Sequence, residues 1–252
     1  MIRRIFLQLS VGAAIAAPEI FAQEPHGRPD VPPLVDHVPP TLDHILLGCS
    51  DLDAGIEFME KKSGYRAALG GSHPGRGTRN AILALGYRRY LEILAPDPKQ
   101  NGLTWHQEIS QLTEPLLVGW ALRGKNLVSA AARLRERGWG FIGPIEGSRT
   151  RPNGEVLRWK TLLPDDDKSG LSPFYIEWDE HSSHPSANAP GACLLTDFHR
   201  SGHLNEGPAP RPGLKRTLMP GAPAQLQAKF VGLFGEFELI SNAIPSETWT
   251  AK

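Results

Sequence analysis

The segment Leu42-Asp43-His44-Ile45-Leu46-Leu47-Gly48-Cys49 has the aliphatic density of a strand. Ser50-Asp51-Leu52-Asp53 follows with the outline of a capping box, Asp standing in the usual Glu place. Leu52, Ile56 and Met59 then recur at helical spacing until Gly64 stops the turn. After the glycine-rich passage Gly70 to Gly77, the pattern predicts strands over 80–85 and 89–95, with a short strand near 66–69, closed by Pro96-Asp97-Pro98. The order is βαβββ.

The same order recurs. Residues 116–123 read as a strand, Leu127, Ala131 and Leu134 mark a helix face ending at Gly138, and 140–145, 156–163 and 174–178 read as strands. Aligning the helices sets Leu127 on Leu52, a shift of 75 positions. Each copy ends on a strand with a central glutamate, Tyr90-Leu91-Glu92-Ile93-Leu94 and Phe174-Tyr175-Ile176-Glu177-Trp178. The chain is therefore expected to be α+β, with modules at 42–98 and 115–178 inside a domain spanning 42–180.

What flanks this body differs from it. Arg3-Arg4-Ile5-Phe6-Leu7-Gln8, a weakly apolar stretch to Ala17 and then Phe21-Ala22-Gln23 have the layout of a twin-arginine export signal over 1–22, which implies an exported, periplasmic protein. Residues 23–41 hold six prolines and no periodicity, the signature of an extended linker. Residues 181–252 start rich in Pro, Gly, Ser and His and predict a loop-rich extension packing on the sheet, with strand candidates at 193–198 and 229–240. Its histidines, His181, His184, His199 and His203, read as solvated loop residues.

Charge narrows the partners. Across 252 residues, 27 basic and 27 acidic side chains balance to a formal net charge of zero, leaving no overall field for nucleic acid or anionic lipid. No apolar run approaches the length of a membrane span. A small-molecule substrate or ligand is the partner this composition favours, and the tandem copies suit a monomer or a homodimer. Two cysteines, Cys49 and Cys193, are too far apart in sequence for a zinc ribbon or a CxxC motif; an oxidising compartment would permit a bridge, while burial would leave two free thiols.

Alternate side chains of a strand share a face, so His44 should stand with Leu46 and Gly48, opposite Ile45 and Leu47, which pack on the helices. The same counting places Tyr90 with Glu92 and Tyr175 with Glu177, so that three potential ligands enter one cavity. This repeat, together with His73-Pro74-Gly75-Arg76-Gly77-Thr78-Arg79-Asn80, Arg151-Pro152-Asn153-Gly154 and Leu157-Arg158-Trp159, resembles the glyoxalase-like domain branch of the vicinal oxygen chelate superfamily. The resemblance implies a cup-shaped mixed β-sheet. It also implies a divalent ion, Zn, Mn, Fe or Ni, held by His44, Glu92 and Glu177.

At the fourth ligand position His44 corresponds to Gly119, which has no side chain to donate. The competing reading makes His44 a core histidine and lets Arg158 neutralise Glu177. His73, in a Gly-Pro loop at the sheet's lip, is expected to act as acid, base or ligand beside Glu92 and Glu177. Arg79, Asn80, Trp120 and Arg158 are candidates for contacting substrate. Two functions follow: a lyase, isomerase or dioxygenase acting on a small oxygenated molecule, or a binding protein stacking an aromatic ligand on Trp120, Trp159 and Trp178.

Overall fold

Whether a cup forms depends on how the strands pair. In the computed structural model, which describes residues 38–104, 106–136, 138, 140–165, 170–191, 193–201, 216–217 and 224–242, the first repeat runs β1 (Leu42–Gly48), α1 (Leu52–Ser63), β2 (Ala68–His73), β3 (Thr78–Ala84) and β4 (Tyr90–Pro96). The second runs β5 (Leu116–Arg123), α2 (Leu127–Glu136), β6 (Phe141–Thr150), β7 (Val156–Pro164) and β8 (Phe174–Trp178). The export segment expected at 1–22, and the linker up to residue 37, lie outside the described residues.

Local chemistry explains the helix boundaries. Asp51, not Ser50, caps α1: its backbone is extended (φ −134°, ψ 132°) and its carboxylate accepts from the Ala54 N–H. Gly64 ends the helix in the left-handed conformation at φ 79°, where a Cβ would be strained, and its N–H donates to Glu60 O. Leu52, Ile56 and Met59 are buried as their spacing predicts.

The eight strands among these ten elements make one sheet in the order β2-β3-β4-β1-β5-β8-β7-β6. β1 and β5 lie antiparallel at its centre, and β1 pairs in parallel with β4 as β5 does with β8. Outward side chains, including Ile45, Leu47, Leu91, Ile93 and Trp120, pack with α1. Inward ones, including Leu46, Leu94, Ala121, Phe174 and Ile176, form a separate cluster inside the curl.

Glycine closes the curl. A Cβ on Gly71 would lie 2.5 Å from the Thr150 carbonyl oxygen, and one on Gly70 would lie 2.0 Å from an Arg149 guanidinium nitrogen. The edge strands β2 and β6 thus approach each other backbone to backbone, as only residues without side chains permit.

The extension has strands at the two places where candidates were expected, 193–198 and 229–240, and they join into a sheet. Its described strands, β9 (Leu194–Ser201), β10 (Arg216–Thr217), β11 (Gln225–Gly232) and β12 (Gly235–Ile240), form a second sheet in the order β10-β9-β11-β12. Phe198, Leu226, Ala228, Phe230 and Leu239 from it join the core around α1, on the side away from the cup. Burying a side chain of phenylalanine size stabilises by roughly 1.5–3 kcal/mol. Cys49 and Cys193 are buried free thiols, their pKa values pushed up by burial to about 12 and about 11.

Candidate functional site: a buried polar floor in the cup

The floor is built on β1. His44 points inward as strand alternation requires and is 2% exposed. Asp43 beside it is fully buried, with Oδ1 2.8 Å from His44 Nδ1. Burial alone would raise the Asp43 pKa, but hydrogen bonds from His184 and His44 outweigh it and hold the carboxyl far below its usual range. An ionised carboxylate only accepts, so His44 Nδ1 donates to it and Nε2 is the ring nitrogen that faces the cup. His44 Nε2 lies 3.6 Å from Glu92 Oε2, and the ring stacks on Tyr90 at 4.6 Å.

Asp43 has two further partners. His184 Nε2 is 3.2 Å away, and the Trp178 indole N–H is 3.3 Å from both carboxylate oxygens. His184 Nδ1 accepts from the Ser186 N–H, which leaves the proton on Nε2 to donate to Asp43. The expectation of a solvated His184 is thus corrected: it is 7% exposed and clamps the floor.

The opposite wall continues the network. Asn80 Nδ2 donates to Glu92 Oε1 at 2.7 Å and to His73 Nε2 at 3.2 Å, while Asn80 Oδ1 accepts from Arg149 at 2.8 Å. His73 Nδ1 therefore carries its proton toward Thr78 Oγ1, 2.9 Å away. Burial lowers the His73 pKa to about 4 against the opposing pull of Glu92, so the ring is neutral at neutral pH. For Glu92, burial raises the pKa, but the imidazoles, Arg149 and the Asn80 hydrogen bond prevail and keep it below the usual carboxyl range. Tyr90 is driven well above its ordinary pKa by burial and by Glu92 and Asp43, and stays a phenol.

Several expected site residues lie elsewhere. Glu177 stands on the α2 side of β8, where its two oxygens accept from the backbone N–H groups of Asn126 and Leu127 at 2.7 and 2.9 Å. It neutralises the positive end of α2 and faces away from His44 and Glu92. Strand register explains this. Leu46 pairs with Gly119 and His44 with Ala121, so the shift of 75 maps each pair onto the other. Glu92 pairs with Leu46, and the residue paired with Ala121 is Phe174. The structural counterpart of Glu92 is therefore Phe174, three residues before Glu177. An odd offset puts Glu177 on the opposite face.

Arg79 alternates with Asn80 on β3 and so faces outward, its charge reaching Cys49 and Asp97. Trp120 is core: it packs against Phe198 and donates to Leu171 O at 3.2 Å. A bulge in the pairing of β5 with β1, between Gly119 and Leu117, keeps Val118 and Gly119 inward and Trp120 outward. Arg158 is on the outer side of β7, opposite Trp159, with its backbone N–H on Ser182 Oγ. His73 is the buried last residue of β2, not a lip residue.

Of the expected set, His44, His73, Asn80 and Glu92 come together. Asp43, Arg149 and His184 were missed by sequence reasoning. Only Asp43 left a signal, a carboxylate beside the candidate histidine on an otherwise apolar strand.

The floor encloses about 30 Å³, room for a group of two or three heavy atoms. A larger, open hollow of about 920 Å³ adjoins it. His73, Arg76, Trp159 and Trp178 line both, and Arg158, Lys160 and Glu177 border only the outer one.

The donors do not fit the expected divalent-ion site. Its second-module positions are Gly119 and Phe174, and Glu177 is turned away. Among the described residues no group of three or more His, Cys, Asp or Glu is arranged to hold a metal.

A curled mixed sheet built from two βαβββ units defines the vicinal oxygen chelate fold. The model of the glyoxalase-like domain matches residues 42–206, and the chain belongs to that family. None of the curated proteins matches. Solved structures similar to it include a hypothetical protein from Staphylococcus aureus, 22% identical over 58% of this chain and 62% of that one, TM-score 0.47. This chain thus spans less than two thirds of that protein. Methylmalonyl-CoA epimerase from Mycobacterium tuberculosis is 21% identical over 56% and 88%, TM-score 0.41. A methylmalonyl-CoA epimerase in complex with methylmalonyl-CoA and NH4+ is 22% identical over 57% and 97%, TM-score 0.42. Among the described residues no helix is long and apolar enough to cross a membrane.

Proposed function

We propose that the cup is the active site of an isomerase or lyase that moves a proton at a carbon next to a carbonyl in a small oxygenated molecule. The observation that carries this is the Asp43–His44–Glu92 alignment, with His44 Nδ1 fixed on Asp43 and Nε2 directed at the cup. A carboxylate held below its usual pKa is a poor base, so His44 Nε2 takes the C–H proton. The bonding pair moves onto the carbonyl oxygen, and the resulting enolate lies near the Arg149 guanidinium. Asp43 and Glu92 flank the imidazolium so formed. Proton return to the same or a neighbouring carbon completes an isomerisation, while loss of a β-substituent completes an elimination.

Incubating the purified protein in D2O with a panel of 2-hydroxy ketones and 2-hydroxy or 2-keto acids is expected to give deuterium at the acidic carbon of at least one compound. Exchange should survive chelator treatment and be lost in His44→Gln. Absence of exchange across the panel with folded protein would overturn the reading, as would undiminished exchange in the variant.

A second reading, ligand binding without turnover, is favoured by the wall of Trp159 and Trp178, whose rings lie 5.4 Å apart. It expects tight binding with no exchange. The proposal also places the protein in the periplasm, supported by the Arg3-Arg4 segment. Arg3→Lys with Arg4→Lys is expected to hold it in the cytoplasmic fraction, and unchanged periplasmic recovery would count against export by this route.

A further inference from the structure

Arg149 is a guanidinium placed where a strand delivers it through a glycine gap. It is 3% exposed, yet it lines the 30 Å³ floor. Among the described residues its hydrogen bond is one N–H to Asn80 Oδ1. Desolvating a cation in this way is costly, and Glu92, which favours its charged form, is already held by Asn80. Gly70 is what makes the placement feasible, since any side chain there would occupy the positions of the Arg149 guanidinium and the Asn80 amide oxygen. A second arginine, Arg76, lines both the floor and the outer hollow, beside His73. Arg76 and Arg149 therefore place positive charge at the neck and in the floor, while acidic and basic side chains are mixed around the outer hollow. Trp159 and Trp178 stand alongside as apolar walls.

We infer that the floor is a carboxylate subsite: the molecule the cup accepts is a small monocarboxylate with a planar or aromatic body. The carboxylate meets Arg149 by charge-assisted hydrogen bonds, and the body lies in the outer hollow against Trp159 and Trp178. A volume of 30 Å³ admits a group of carboxylate size but not a ring, which fixes which end of the molecule goes in first. The inference rests on the cup being a small-molecule site. It does not need the proton transfer.

The test titrates the purified chain calorimetrically with benzoate, mandelate and phenylglyoxylate, and with benzamide and mandelamide as neutral isosteres. Saturation-transfer NMR reports which ligand protons touch the protein. At least one acid is expected to bind roughly 30-fold or more tighter than its amide, consistent with charge-assisted pairing worth about 2 kcal/mol. Arg149→Gln should abolish that preference, and Arg149→Lys should keep part of it. Because the acid-to-amide ratio is read on the unmodified protein, a variant that fails to fold does not remove the test. Equal binding of acid and amide overturns the inference, as does an unchanged ratio in folded Arg149→Gln, or no binding by any of the five. Acid-selective binding without deuterium exchange supports the subsite and sinks the proton-transfer reading. Exchange confined to neutral ketones does the reverse.

Discussion

The two modules share a fold and divide the labour of the cup. The first faces inward with His44, His73, Asn80 and Glu92, all buried and joined to one another. The second presents Gly119, Phe174, Ile176, Trp159 and Trp178, with Arg149 as its charged contribution. The repeat therefore serves to close a cavity whose buried polar groups come mostly from one half. An inward polar cluster is tolerable because each member has a partner, and the apolar half excludes water from it.

The sharpest way to break this asymmetry is at its acting group. His44→Gln is expected to lower exchange about 10²- to 10⁴-fold, the usual contribution of a positioned acid–base group. A loss under tenfold, read by NMR, would place the proton transfer on another residue.

Gly70→Ala tests the seam between the halves. Its Cβ would lie 2.0 Å from the Arg149 guanidinium and 2.2 Å from Asn80 Oδ1. A cost of about 1–3 kcal/mol is expected by chemical denaturation, together with loss of the acid-to-amide preference. Unchanged stability would mean that Arg149 moves aside freely.

The buried imidazole of the first module should also make stability depend on pH. With the folded His73 pKa at about 4 and the unfolded value near 6.5, the unfolded chain binds more protons between these limits. The stability His73 supports is therefore complete above about pH 6.5 and declines as pH falls toward 4. Denaturation midpoints across that range should fall less steeply in His73→Gln than in the parent, and parallel slopes would exclude His73 as the cause. The depressed Asp43 and Glu92 carboxyls add their own loss at lower pH, as each is protonated.

The smallest effect is expected where the second module's glutamate has a structural task. Glu177→Gln removes a negative charge from the start of α2, which should cost roughly 0.3–1 kcal/mol and leave exchange unchanged. A marked fall in exchange would return Glu177 to the chemistry.

Much of the fold was legible in the sequence because periodicity and capping are local. The aliphatic run at 42–49, the helical spacing of Leu52, Ile56 and Met59 and the shift of 75 between Leu52 and Leu127 each reflect a short stretch of backbone. His44 and Glu92 were legible too, since alternation along a single strand fixes which face a side chain takes. Glu177 and Trp120 were misplaced for the converse reason. Their faces depend on how β5 and β8 register against their neighbours, and a bulge or a three-residue offset leaves no mark in a motif. The sequence by itself determined two βαβββ units and an inward His44. Only the tertiary structure, where strands distant in the chain meet through Gly70 and Gly71, decided that Arg149 enters the floor and that His184 and Asp43 back it. Burial energies and hydrogen-bond partners at such positions are set by residues brought together from across the fold.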